Sequence, residues 1–432
     1  PLHDKLSYVA GDYNSYGGDP KKVNDYSEYI KQLKQWRESP FSTPKIGSIY
    51  SYLSKGTLIE DLIKDRKLWA DDKHQLLSKW NNAQGDRPEI FGVVAGEQDA
   101  AFVRFDVYYP DKVSNKVWMD PEVQNSFIAY YNTKLKDNDL CFVTGEMQPG
   151  TERHANKIRN PADKAKLISG NDTSGFTFRG RFSNSNEVAG ISYEASQKSH
   201  NALKWLINRQ GKDIDGRVIL VWGNDRLEYV DPLGSGETVG GDAETQQAFS
   251  IELSKAIDGY KHNLKTDSKV IVMVLDAATT GRMAIIYYRK IDAEEYLEKI
   301  KEWHSKHTWR QIGEEKKIFF GAPSIKNIAI AAHGERANNK VIKSVVERLL
   351  PCVIEGRNIP RDIIESCVRR ASNPVAMEKW EWEKVLGVAC AWVCVCVCVC
   401  VCAVDLLGSL DCPIKNHAKA ASANPAPTSN PS

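Results

Sequence analysis

Apolar residues recur along this chain with two periods, and the switching between them predicts its elements. Tyr26, Tyr29, Ile30, Leu33 and Trp36 fall on one stripe of a 3.6-residue repeat, so Asp25–Glu38 is predicted as a helix that buries that stripe. Over Ala101–Tyr109 the period shortens to two: Phe102, Arg104 and Asp106 alternate with Val103, Phe105 and Val107, the pattern of a strand. A helix over Glu122–Leu135 and a strand over Leu140–Thr144 follow, with Cys141 as a small core residue of that strand. Next come a helix over Ser192–Arg209 and a strand over Arg217–Trp222. Lys269–Asp276 is strongly apolar and is followed by Thr279-Thr280-Gly281-Arg282 and an alternating run Met283–Arg289, which together predict a hairpin. Asp292, with Glu295 three residues on, forms a capping-box pattern ahead of the buried stripe Tyr296, Leu297 and Ile300.

Beyond Lys317 the period of two is gone. Ser324 caps Ile325–Ala332, which stops at Gly334. Val341, Ile342, Val345, Val346, Leu349 and Leu350 mark the next helix, Pro360 opens Arg361–Ala371, and Val375–Ala391 gives a fourth. The expected fold class is α+β, with mixed α/β N-terminal and middle regions followed by a C-terminal helical module. The expected divisions are an incomplete N-terminal α/β region (1–150), a basic loop with an α/β segment (151–230) and a Gly/acidic linker (231–247). A hairpin-and-helix segment (248–316), the helical module (317–391) and a non-native low-complexity tail (392–432) complete the chain.

Composition changes this picture little. With 432 residues, 42% hydrophobic and 26% charged, the chain has room for several cores and is not a disordered or polytopic membrane sequence. Its formal charge of +2 gives no net field for a polyanion, so charge matters only locally. Between Thr151 and Asn184, the seven cations Arg153, Lys157, Arg159, Lys164, Lys166, Arg179 and Arg181 face three acids, Glu152, Asp163 and Asp172, a local excess of four. Asn160-Pro161, Gly170-Asn171 and Ser174-Gly175 place that excess on looped backbone. Cations of this kind neutralise phosphates, Asn and Ser address base edges, and Phe176 and Phe178 offer rings to stack. A plain solvated surface is the competing reading.

Catalytic chemistry finds no foothold. The chain has no nucleophile elbow, HExxH, kinase signature or Walker loop, and Gly234-Ser235-Gly236 with Gly240-Gly241 fits neither phosphate-binding fingerprint. His304 and His307 lie three apart but have no third ligand near them, and are expected at a solvated helix end. No cofactor or metal is expected. Three of ten cysteines (Cys141, Cys352, Cys367) are scattered through the body, as in a protein of a reducing compartment, and the cytoplasm is the expected location. The start, Pro1-Leu2-His3-Asp4-Lys5, lacks Met and any signal pattern, as in a chain entered partway through a gene.

From Val393 the sequence becomes Val-Cys repeated five times, then a tail rich in Ala, Pro, Ser and Asn. A GT dinucleotide repeat encodes alternating Val and Cys, so a repeat expansion or frameshift is the expected origin. The competing readings are a metal-binding or membrane-inserted strand. Leu386–Val404 approaches spanning length, but alternate β-branched residues disfavour a helix, and a strict two-residue cysteine repeat does not converge on a tetrahedral ion.

Several stretches, in order, resemble the large subunit of type I-C (Dvulg subtype, Csd family) CRISPR effector complexes. They are Val117-Trp118-Met119-Asp120-Pro121, Tyr130-Tyr131, Leu140–Glu146, Thr173-Ser174-Gly175, Ile191–Ala195 and Ala202–Leu206. The hairpin Leu275–Arg289, and Val346–Arg370 with Gly356, Pro360 and Arg369-Arg370, extend the resemblance from Tyr8 to Ala391. It implies a non-catalytic subunit of an RNA-guided surveillance particle. Guide RNA reads the target by pairing, while the large subunit recognises the protospacer-adjacent motif in double-stranded DNA, helps open it and holds the displaced strand. A recruited helicase-nuclease cuts. The implied partners are the effector backbone subunits, guide RNA, target DNA and that nuclease, with no membrane. The expected DNA-facing residues are Lys157, Arg159, Asn171, Arg179, Arg181 and Asn184, with Arg361, Arg369 and Arg370 on the displaced strand. The alternative is a pure scaffold that touches guide RNA and other subunits but never target DNA. The chain departs from the family at both ends. Expressed as written, it is therefore expected to form its β-containing middle yet assemble poorly; recovery of a stable effector complex in normal yield would contradict this.

Overall fold

The structure, a computed structural model, describes residues 2–393 apart from 21–22, 82–84, 95, 109–114, 137, 170–181, 183–184, 225–228, 242 and 314–316. Helix accounts for 49% and strand for 16%, and the strands pair antiparallel in small sheets, so the fold is α+β as the periodicities predict. The chain divides into two compact units, one formed by 1–139 with 147–149, the other by 140–146 and the chain from 150 onward.

In the first unit, helices α1 (Leu6–Val9), α2 (Val23–Arg37), α3 (Pro44–Leu53), α4 (Leu58–Lys64) and α5 (Pro121–Asn132) surround one core. The predicted stripe of α2 is inside: Tyr29, Leu33 and Trp36 are buried, and the Trp36 indole N–H donates to Ser126 Oγ on α5 at 2.9 Å. Thr43 caps α3 ahead of Pro44, and Asp120 caps α5 ahead of Pro121. Asp120 also takes the buried ammonium of Lys45 at 2.7 Å, which holds its carboxyl below the usual range. The strand expected over Ala101–Tyr109 shrinks to β2 (Phe102–Val103), whose partner β1 (Asp4–Lys5) is two residues long, and farther along Asp106 makes a single antiparallel bridge to Lys116.

The second unit is built on a four-stranded antiparallel sheet, ordered β3 (Lys212–Ile214), β4 (Arg217–Gly223), β5 (Lys269–Thr279) and β6 (Arg282–Asp292). Helix α6 (Tyr193–Gln210) packs on one face, over Val218, Leu220 and Leu275. Val270, Val272 and Val274 face the other way, into the main core. Burial on both faces explains why β5 reads as a continuous apolar run. The hairpin turn is tighter than expected, with only Thr280 and Gly281 between the strands. Ser192, the first residue of the expected helix, caps α6, its Oγ accepting from the Ala195 N–H at 3.2 Å, and Cys141 is fully buried beside it.

Helices α7 (Gln246–His262), α8 (Ala293–Lys306), α9 (Ile325–His333), α10 (Asn339–Glu355), α11 (Arg361–Ala371) and α12 (Lys379–Val393) enclose the main core. Four expectations change here. The capping box at Asp292 does not form, because Lys269 lies directly opposite on β5 and takes the carboxylate. Strands continue past Lys317: β7 (Trp309–Ile312) pairs with β8 (Ile318–Gly321), a stretch too short to show a period. The Gly/acidic stretch 231–247 is no linker. Leu233 and Ala243 are buried, Gly236 N–H donates to the Ala322 carbonyl at 2.8 Å, and a Cβ on Gly236 would lie 2.6 Å from Gly321 Cα. Those glycines serve close backbone approach, not slack. Finally, the fold reaches past Ala391, since Trp392 is 3% exposed and its ring lies 4.7 Å from that of His307. The Val-Cys repeat beyond 393 lies outside the described residues, within which no helix is long and apolar enough to cross a membrane.

His304 and His307 are therefore core residues, not a solvated helix end, at 1% and 8% exposure. Burial lowers each to about 4, so both are neutral in the fold. Acid protonates the unfolded chain first, so stability is complete above about pH 6.5 and falls as pH drops toward 4, by roughly 3 kcal/mol per histidine. Denaturant titration of the full chain at pH 7 and pH 4.5 should show this loss, and an equal unfolding free energy at both would refute it.

Candidate nucleic-acid interface

The basic segment 151–169 is pinned at successive points along its length. Thr151 N–H donates to the Ile191 carbonyl at 3.3 Å, and His154 Nδ1 lies 2.9 Å from Ser196 Oγ of α6, with ring and hydroxyl both buried. Asn160-Pro161 makes the predicted turn, in which the Asn160 side-chain carbonyl accepts the Ala162 N–H at 3.0 Å and Lys157 N–H donates to the Asp163 carbonyl at 2.8 Å. Ile158 and Ala165 insert into the small core beneath α6. Lys166 then joins the sheet beside the hairpin tip: its N–H donates to the Gly281 carbonyl at 3.1 Å, and its carbonyl accepts the Met283 N–H at 2.9 Å.

This pinning sorts the cations. Lys157 and Lys164 are exposed, as is Arg282, which the Lys166 bridge brings alongside. Arg159 is not available to a phosphate. Its side chain is 9% exposed, holds both oxygens of Asp163 at 2.9 and 3.1 Å, donates to the Gly216 carbonyl and lies 4.0 Å from Asp276. That bond keeps the Asp163 carboxyl below the usual range, although burial opposes it. Arg159 thus leaves the set of DNA-facing candidates, for the physical reason that its charge is already neutralised inside the fold.

Behind Arg159 stands a wider network. Asp276 on β5 accepts two bonds from Arg217, at 3.0 and 2.9 Å, and one from Lys343 of α10 at 3.0 Å. Arg217 also reaches the Lys343 carbonyl at 3.0 Å and Glu347 at 2.8 Å. Burial alone would raise Asp276; Lys343 and Arg217 nevertheless hold it low.

On α11 the three candidates also divide. Arg361 is exposed, with its Nε on Glu365 one turn away at 2.7 Å, a pairing of little energetic weight that a phosphate can displace. Arg369 is exposed as well. Arg370 is instead structural: it donates to Glu381 of α12 at 3.0 Å, beside the Trp382 indole N–H that donates to the Ala371 carbonyl. Asn171, Arg179, Arg181 and Asn184 lie outside the described residues.

Lys164, although counted in the local charge excess, and Arg282, which has no charge cluster around it in the sequence, were both missed as site residues. The signal present was the short alternation Lys164-Ala165-Lys166-Leu167, a period of two marking an extended piece that needed a sheet edge. Among the described residues no group of three or more His, Cys, Asp or Glu side chains is placed to hold a metal ion. Burial pushes the thiols of Cys352 and Cys367 up to about 11 and about 12, where neither is a nucleophile at neutral pH.

A family model described as CRISPR-associated protein (Cas_Csd1) matches residues 1–398. No curated protein matches the chain.

Two substitutions separate the buried cation from the exposed one. Arg159→Ala leaves Asp163 buried and uncompensated and should cost about 3 kcal/mol, whereas Lys157→Ala should stay within about 0.5 kcal/mol. Chemical unfolding of both variants measures this, and equal stabilities would contradict the assignment.

Proposed function

Because the chain belongs to the Cas_Csd1 family of CRISPR-associated proteins, the large-subunit family of type I-C complexes, we propose that it acts without catalysis in target recognition. In this reading it contributes to reading the protospacer-adjacent motif, to opening the duplex and to holding the displaced strand, while guide RNA supplies sequence recognition by base pairing. The work takes place in the cytoplasm, in a ribonucleoprotein with the effector backbone subunits, and a recruited helicase-nuclease cuts the DNA.

The observation that carries the reading is the display of Lys157, Lys164 and Arg282 on backbone fixed to a sheet, immediately before the segment bearing Asn171, Arg179, Arg181 and Asn184. Cations on fixed backbone meet a phosphate without first losing loop entropy, which is what a surface that positions a duplex needs. Arg361 and Arg369 on α11 form a second basic site, suited to the backbone of a single strand.

Each phosphate contact contributes about one unit to the dependence of log affinity on log salt concentration. Affinity of the assembled complex for target DNA, measured across salt, should lose about one unit of slope in Lys157→Ala and about two in Arg179→Ala/Arg181→Ala. An unchanged slope in both would overturn the DNA-facing role and favour contact with guide RNA or protein.

A further inference from the structure

Helix α6 has an inner and an outer side of different chemistry. Ser196, His200, Leu203 and Ile207 recur every three or four residues and are turned inward, the last two onto the small core above the sheet. Trp205 is two residues from both Leu203 and Ile207, so it falls on the opposite side, where it is 56% exposed. Trp36 and Trp303, by contrast, are buried. Of the stretch Ala202–Leu206, one of those that carry the family resemblance, the core accounts for the two leucines. It does not account for Lys204 and Trp205.

The residues that neighbour Trp205 on the helix surface, three and four positions away, are Asn201, Ala202, Asn208 and Arg209, all of them exposed. None is a large apolar side chain, so α6 gives the indole no apolar rim. Arg209 lies over the ring instead, its guanidinium carbon 5.1 Å from the centre. Over its whole length α6 carries three cations, Lys198, Lys204 and Arg209, and one acid, Glu194. Lys198 and Glu194 pair on the exposed surface at 2.5 Å, a contact of little energetic weight, while Lys204 and Arg209 form no ion pair among the described residues. Ile158 and Ala165 of the basic segment pack into the same small core as Leu203 and Ile207, so the ring and the exposed Lys157 and Lys164 ride on one rigid piece.

We propose that Trp205 is a stacking platform for an unpaired base of single-stranded DNA, with the adjoining phosphates on Lys204 and Arg209. A tryptophan that anchors a protein partner is ringed by contacts that shut out water, whereas a base needs a flat ring face and cations for its backbone, which is what amides and two free cations around this indole provide. Every base has such a face, so the platform holds a strand without reading its sequence. The proposal rests on the DNA reading above and deepens it, naming where a base of the opened strand is held.

Fluorescence anisotropy of a labelled oligothymidylate of about a dozen nucleotides, titrated with the 432-residue chain across salt, tests it. Trp205→Ala should keep the parent unfolding midpoint and weaken binding about tenfold, with the salt slope unchanged because the indole carries no charge. Trp205→Phe, which restores a ring, should bind within about threefold of the parent. Lys204→Ala should instead lower the slope by about one unit. Equal affinity of the parent and Trp205→Ala overturns the platform, and so does a loss that Trp205→Phe does not restore. A loss seen with an oligouridylate of the same length but not with oligothymidylate assigns the ring to guide RNA and overturns it as well. Loss of co-purifying effector subunits from Trp205→Ala, with strand affinity intact, makes the ring a protein contact and has the same effect. Absence of any binding by the parent chain also overturns the platform, while the duplex reading stands or falls separately on the salt slope of Lys157→Ala in the assembled complex.

Discussion

Asp276, near the end of β5, is the carboxylate on which the second unit depends. Arg217 from β4 and Lys343 from α10 both bond to it, Arg159 from the basic segment lies 4.0 Å away, and Asp163 and Glu347 complete a network of three cations and three carboxylates. Charges taken out of water are tolerated only when such partners are complete, and removing one leaves the others buried without compensation. The network therefore couples three parts far apart in sequence: the stem of the basic segment, the sheet and the helical module. It also fixes which cations are spent on the fold and which remain outside.

That division is the substance of the functional reading. A local charge excess in a sequence counts Arg159 and Lys157 alike, yet one neutralises Asp163 and the other meets solvent. Arg370 and Arg369 divide in the same way across one peptide bond, because α12 brings Glu381 to only one of them. The basic surface is smaller than the sequence suggests and more rigid, since Ile158, Ala165 and Lys166 tie it to the sheet. Rigidity favours a role in positioning nucleic acid over loose, nonspecific attraction.

How much of this was legible depended on range. The stripe of α2, the helix expected over Ser192–Arg209, the β5–β6 hairpin and the helices after Ser324 are local patterns, and they formed with small changes at their ends. The partners of Arg159, Arg217 and Lys343 lie on other elements, and no spacing rule connects them. Gly236 resembled slack until its close approach to Gly321 showed that the backbone there has no room for a side chain. His304 and His307 looked solvated because helix ends usually are; Trp303 and Trp392 cover this one.

The central claim is that the lysine displayed at the turn of the pinned segment meets target DNA. A photo-crosslinking residue placed at Lys157 in the assembled complex, bound to target duplex and irradiated, reports it directly. The account predicts capture of DNA, with the yield falling as salt rises. Capture of guide RNA or of another subunit alone, with no labelled DNA at low salt, would contradict it.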